Sequence, residues 1–133
     1  MVILDTCVLS EHLRRNVSAP SGHALEVRRL AAAGQAVVIG TVHQEILSGI
    51  RIPAQFESAL IALQATVFLA CERSDYETAA RFSNACRAAG VQGSLADFLI
   101  CAVAARTRYP IYTVDKDFTR YAIHLPITLH RPT

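Results

Sequence analysis

At 133 residues, with 52% hydrophobic and 18% charged side chains, the chain suffices for one domain with a real core and is too apolar to be disordered. A net charge of +2 is too slight to announce nucleic-acid binding, although twelve arginines stand against one lysine. No apolar run approaches the roughly 18 residues of a membrane span, and MVILDTC lacks a signal peptide's basic region and cleavage site, so a cytoplasmic protein is expected.

In chain order, Val2 to Leu4 reads as a strand and Val8 to Arg14 as a short helix. Ser21 to Ala33 reads as a helix with Leu25 and Leu30 inward, ended by Gly34. AVVIG (36–40) is a predicted strand, Thr41 to about Ile50 a helix, and Pro53 to Leu63 a Pro-initiated helix with Phe56, Leu60 and Leu63 on one stripe. ATVFLA (65–70) is the next strand, and a helix from Asp75 to Ala89 stops at Gly90. After the GVQG turn come a helix from Leu95 to Arg106, strand IYTV (111–114), a short helix around Phe118 and a last strand near Ile127 to Leu129. Repeated strand-then-helix order predicts an α/β domain over residues 1–133, with a mainly parallel sheet between helical layers. Cys7, Cys71, Cys86 and Cys101 lack C-x-x-C spacing and read as reduced core residues.

Open parallel sheets bind ligands beyond the carboxyl ends of their strands. Asp5 directly follows VIL, Glu45 lies in the helix after AVVIG, and Asp115 and Asp117 follow IYTV. Asp97 sits in the first turn of the helix that precedes that strand. Each acid alone has a structural explanation: Ser94 and Asp97 form an S-x-x-D capping box, Asp5 and Asp115 suit helix starts, and Glu45 complements a helix dipole. Together they would repel one another unless a cation resides among them. Carboxylates without a Cys or His cluster suit a hard ion, Mg²⁺ or Mn²⁺ as its substitute.

The ordered segments ILDTCVLSE, TVHQEILSG, LADFLICAVA and YTVDKDF resemble the PIN-domain ribonucleases, specifically the VapC toxins of VapBC toxin-antitoxin pairs. The resemblance spans almost the whole chain and implies a three-layer α/β/α fold with a sheet of four to five strands. It implies an acidic metal site of Asp5, Glu45, Asp97 and Asp115, with Asp117 an alternative to Asp115 in the last motif. Asp5 and Asp97 are the foremost expected metal ligands. Thr6 and Thr113 match polar positions beside those acids, whereas Cys7 stands where many relatives carry Asn or Ser. The implied activity is metal-dependent endoribonuclease cleavage leaving a 5′-phosphate and a 3′-hydroxyl. The implied partners are an RNA substrate, a VapB-type antitoxin and a second copy in a homodimer. Arg14, Arg15 and Arg51 are candidate RNA contacts, although each also reads as a solvated surface residue. The apolar helical segments 21–33 and 53–63 are candidate protein-contact surfaces or simply core.

Other motifs carry less. His43-x-Glu45 lacks the P-C-x-x-C partner of zinc deaminases. A signalling receiver domain wants paired acids after the first strand and an Asp ending the central one, but here stand Asp5-Thr6 and Cys71. The alternative is a non-catalytic or regulatory metal- or RNA-binding module on the same fold.

Overall fold

The computed structural model describes residues 1–13 and 21–132. The first strand β1, Val2–Leu4, is wholly buried and runs through Asp5 into helix α1, Thr6–Leu13. Helix α2, Gly22–Ala32, begins where the Ser21 hydroxyl accepts the Ala24 amide at 3.1 Å. Gly34 terminates it at φ 69°, a left-handed conformation that glycine adopts without steric cost. Strand β2, Ala36–Ile39, is again fully buried and leads into α3, Gly40–Ser48, followed by the Pro-started α4, Pro53–Gln64. Strand β3, Val67–Leu69, precedes α5, Arg73–Ala88, and α6, Leu95–Thr107. Strand β4, Ile111–Tyr112, and helix α7, Asp117–His124, complete the sequence of elements.

All strand pairings are parallel, in the order β3-β2-β1-β4, with Ile3 opposite both Val37 and Ile111. Helices α1 to α4 pack among themselves, and α5 packs with α6 and α7, giving the expected three layers. Strands β1, β2 and β4 are covered on both faces, which accounts for their unbroken apolar sequences. The core continues into α6, where Phe98 to Ala104 are all buried.

One ion pair joins two helices, and a second ties α2 to the C-terminal segment. The carboxylate of Asp75, 1% exposed at the start of α5, accepts Nε and Nη2 of Arg106 near the end of α6 at 2.8 and 2.9 Å. This runs α5 antiparallel to α6. Glu26 of α2, 6% exposed, accepts two 2.8 Å bonds from Arg29 and lies 2.7 Å from Nε2 of His130.

The structure corrects several expectations. Leu25 is 52% exposed while Leu30 is buried, so the inward stripe of α2 runs through Ala24, Val27 and Leu30. The strand expected over residues 65–70 is shorter, because the amides of Ala65 and Thr66 still bond to Ala62 and Leu63 at the end of α4. It is also an edge strand, with Val67 and Phe68 exposed. The strand expected near Ile127 reduces to one parallel bridge between Ile111 and Leu129, flanked by Pro126 and Pro132, which have no amide to donate. Cys86 and Cys101 are buried and Cys7 and Cys71 half-buried, all four as free thiols whose pKa burial pushes up.

Candidate active site

The register of β1 against β4 decides which polar groups meet. Leu4 pairs with Tyr112, so the next residues, Asp5 and Thr113, emerge together at the carboxyl edge of the sheet. The Asp5 amide donates to the Tyr112 carbonyl at 3.0 Å, extending the ladder by one bond. The Asp5 side chain, 7% exposed, takes the Thr6 amide on Oδ1 at 2.8 Å and the Thr113 hydroxyl on Oδ2 at 2.7 Å. The Cys7 thiol lies 3.4 Å from the same Oδ2.

Thr113 also explains why β4 ends two residues before the sequence suggested. Its Oγ1 accepts the Asp115 amide at 3.0 Å, a local bond that takes the place of a sheet partner. Asp115 Oδ1 then accepts the Asp117 amide at 2.9 Å, which turns the chain into α7. One threonine hydroxyl therefore bridges the acids after the first and last strands. Lys116 is exposed, and Asp117 is half-exposed and faces Arg120 at 4.0 Å. The crowded DKD segment is thus resolved by pointing its three charges differently.

Glu45 projects from the second turn of α3, the helix after the neighbouring strand β2. Its Oε2 accepts the Thr6 hydroxyl at 2.7 Å, so Thr6, whose amide donates to Asp5, connects the two acids. Asp97 fulfils only half of the predicted capping box. Its amide donates to Ser94 Oγ at 3.1 Å, but its Oδ2 accepts the hydroxyl of Tyr121 at 2.8 Å. Burial raises the pKa of Asp97, the Tyr121 and Ser94 bonds oppose that, and the charges of Asp5 and Asp115 add to the rise. Asp97 is thus subject to the charges of both Asp5 and Asp115. Tyr121 is fully buried, and its hydroxyl stays protonated through burial, the bond to Asp97 and the nearby charges of Asp97, Asp117 and Asp115.

Tyr121 is the residue that sequence reading missed. The available signal was an inward tyrosine in α7, three residues after buried Phe118, since a buried phenol needs a hydrogen-bond partner. Gly93, read as part of an ordinary turn, is tied to the same contact. A Cβ at Gly93 would collide with the Tyr121 hydroxyl and meet Phe98 Cε2 at 3.0 Å.

Among the described residues, Asp5, Glu45, Asp97 and Asp115 make no ion pair; neutral donors alone bond to them. Asp115 Oδ2 and Glu45 Oε1 accept no hydrogen bond within this set. In charge and donor chemistry the acids fit a hard divalent cation. Their side chains are spread rather than closed, because no three His, Cys, Asp or Glu groups converge as a ligand cluster among the described residues. Arg51 is exposed between α3 and α4, and Arg14 and Arg15 lie outside the described residues. His43 stacks edge-on against Phe68.

A family model described as PIN domain matches residues 2–124. The chain belongs to the PIN domain family. No curated protein sequence matches it significantly. Among solved structures, this PIN domain is similar to a chain of FitAcB from Neisseria gonorrhoeae, with TM-score 0.76 and 17% identity over 99% of this chain and 98% of the other. A chain of VapBC2 from Rickettsia felis, bound to a DNA fragment from their promoter, gives TM-score 0.76 and 17% identity over 98% of each chain. A toxin-antitoxin complex from Klebsiella pneumoniae contributes a third, with TM-score 0.67 and 18% identity over 89% of this chain and 90% of that one. These likenesses share the fold. Among the described residues, no helix is long and apolar enough to cross a membrane.

Proposed function

We propose that this PIN domain, residues 1–133, is a VapC-type toxin: a Mg²⁺-dependent endoribonuclease, with Mn²⁺ as a substitute ion. In this reading it acts in the cytoplasm as a homodimer and is inhibited by a cognate VapB-type antitoxin. The observation that supports the reading is the Thr113 hydroxyl shared by Asp5 and the Asp115 amide at the sheet edge, with Asp97 subject to both charges, Glu45 bonded to Thr6 and, among the described residues, no ion pair on any of the four. Similar folds in toxin-antitoxin complexes support the partner assignment.

Asp5, Asp97 and Asp115 would hold the ion, with Glu45 at its margin. When bound, the ion supplies positive charge to the phosphoryl oxygens and lowers the pKa of a water. The chain's own part is positional. Thr113 fixes Asp5 and the Asp115 backbone through one hydroxyl, and Tyr121 fixes Asp97. Glu45, held by Thr6 through Oε2, keeps Oε1 available to accept a proton from the attacking water. Asp117, turned to Arg120, stands at the rim as the alternative acid of the last motif. Products with 5′-phosphate and 3′-hydroxyl ends are expected, and Arg14, Arg15 and Arg51 are the proposed RNA contacts.

Incubating the purified protein with a mixed RNA pool under Mg²⁺, Mn²⁺ or EDTA, beside Asp97→Asn, tests this directly. Metal-dependent cuts with the stated ends, lost in the variant, are expected. A folded protein that binds RNA without cutting it under either metal would replace the reading with a non-catalytic RNA-binding module. The spread arrangement of the acid side chains is what favours that second reading.

A further inference from the structure

We propose that the cavity between the C-terminal half of α5 and the start of α6 receives the nucleotide beside the scissile phosphate, with Arg87 and Gln92 selecting its base. The cavity has a volume of about 210 Å³ and is lined by Ser83, Arg87, Val91, Gln92, Gly93 and Phe98. The inference rests on the endoribonuclease reading for the identity of its ligand.

Topology brings the cavity to the acidic edge. Helix α6 leads into β4, so it runs against the strands and begins at their carboxyl edge, where Asp97 lies. The Asp75–Arg106 bonds join the first turn of α5 to the last turn of α6, which returns the C-terminal end of α5 to that same edge. Between cavity and acid stands one side chain. Gly93 lines the cavity and abuts the Tyr121 hydroxyl, which in turn bonds Asp97, while Phe98 is the next residue in sequence. A chain whose phosphate reaches Asp97 therefore passes within about one nucleotide of the recess.

The lining has the chemistry of base recognition. Val91 and Phe98 supply an apolar wall, while the Ser83 hydroxyl, Arg87 guanidinium and Gln92 amide offer hydrogen-bonding groups to a base edge. Arg87 has no ion-pair partner among the described residues, so its donors are uncommitted. The volume is below the roughly 300 Å³ where pockets for whole small molecules begin, and it suits one part of a longer ligand. An acidic side chain of a protein partner would call for cationic groups, whereas two of the three polar groups here are neutral donor-acceptors able to read a base.

The test maps cleavage ends in a random-sequence RNA pool under Mg²⁺ for wild type, Arg87→Ala, Gln92→Ala and the control Arg81→Ala, an exposed arginine of α5 outside the cavity. Wild type should prefer one base or base class beside the cut. Arg87→Ala and Gln92→Ala should each reduce that preference roughly fivefold or more, as loss of one base-edge contact does, while Arg81→Ala preserves it. Unchanged base preference in both cavity variants would overturn the proposal. Cleavage is not the sole readout: RNA selected for binding in EDTA and sequenced reports base selectivity even if wild type cuts nothing, an outcome that would sink the nuclease reading alone. Base-selective binding lost in both variants supports the recess; binding with no base selectivity overturns it. Unchanged RNA selectivity with weakened antitoxin binding would likewise overturn it and assign the cavity to a protein partner.

Discussion

The Tyr121 hydroxyl donates a 2.8 Å hydrogen bond to Oδ2 of Asp97 from a side chain with no solvent exposure. A rigid phenol cannot follow a moving carboxylate, so the bond restricts Asp97 to the orientations it permits. Tyr121→Phe keeps the ring packing against Phe98 and Phe118 and removes only this restraint. Stability should change by about 1 kcal/mol, whereas the Mg²⁺ concentration for half-maximal RNA cleavage should rise roughly tenfold. A metal titration beside a thermal melt separates the two. An unchanged Mg²⁺ requirement would mean that the bond serves packing alone.

Gly93 provides the room for that hydroxyl. Gly93→Ala should cost about 1–3 kcal/mol, because the new methyl meets the Tyr121 oxygen and the Phe98 ring edge. The same substitution in a Tyr121→Phe background should cost about 1 kcal/mol less, since the closest atom is gone. Denaturant unfolding of the four proteins in this cycle measures the coupling. Strict additivity would show that the backbone shifts to relieve the contact instead.

Thr113 is the shared partner of Asp5 and the Asp115 amide. Thr113→Ser retains the hydroxyl and should keep cleavage within a few fold, on the order of the scatter for a conservative change at an outer contact. Thr113→Val keeps the shape and removes both bonds, so cleavage or metal affinity should fall roughly tenfold or more. Equal activity of the two variants would remove the hydroxyl from the positioning scheme.

These predictions show where the sequence was legible. Asp5 and Asp115 could be assigned to one edge because strand ends in a parallel sheet share it, and short apolar runs located those ends. Tyr121 could not, because its partner lies 24 residues away and helix periodicity reveals only that the tyrosine faces inward. Leu25 misled for a related reason: apolar character says what a side chain tolerates, while its position on the helix decides what covers it. The cavity beside α6 depends on how two helices converge, which no local pattern encodes.

Away from the acids, Glu26 gives the fold a dependence on pH. Hydrogen bonds from Arg29, opposed by burial and aided by His130, hold its pKa at about 2 instead of 4.5. A depressed folded-state pKa means that the ionised form stabilises the fold fully above pH 4.5, and that this contribution disappears as pH falls toward 2. Glu26→Gln should therefore be less stable than wild type at pH 7, with the gap shrinking between pH 4.5 and 2. Urea unfolding at several pH values follows the difference. A gap independent of pH would show that the amide loses packing or geometry rather than charge.

The pairing of β1 with β4 also sets a timetable. During synthesis the first strand can find β2 early, but Asp5 must wait for Thr113, its partner 108 residues later in the chain. Until then the carboxylate that ends the first strand is held only locally, by the Thr6 amide and the Cys7 thiol, and Asp97 awaits Tyr121. An acidic centre built this way comes together only once the chain has been extended through Tyr121. A chain that stops short of Thr113 therefore holds Asp5 and Asp97 without the long-range hydrogen bonds that orient them.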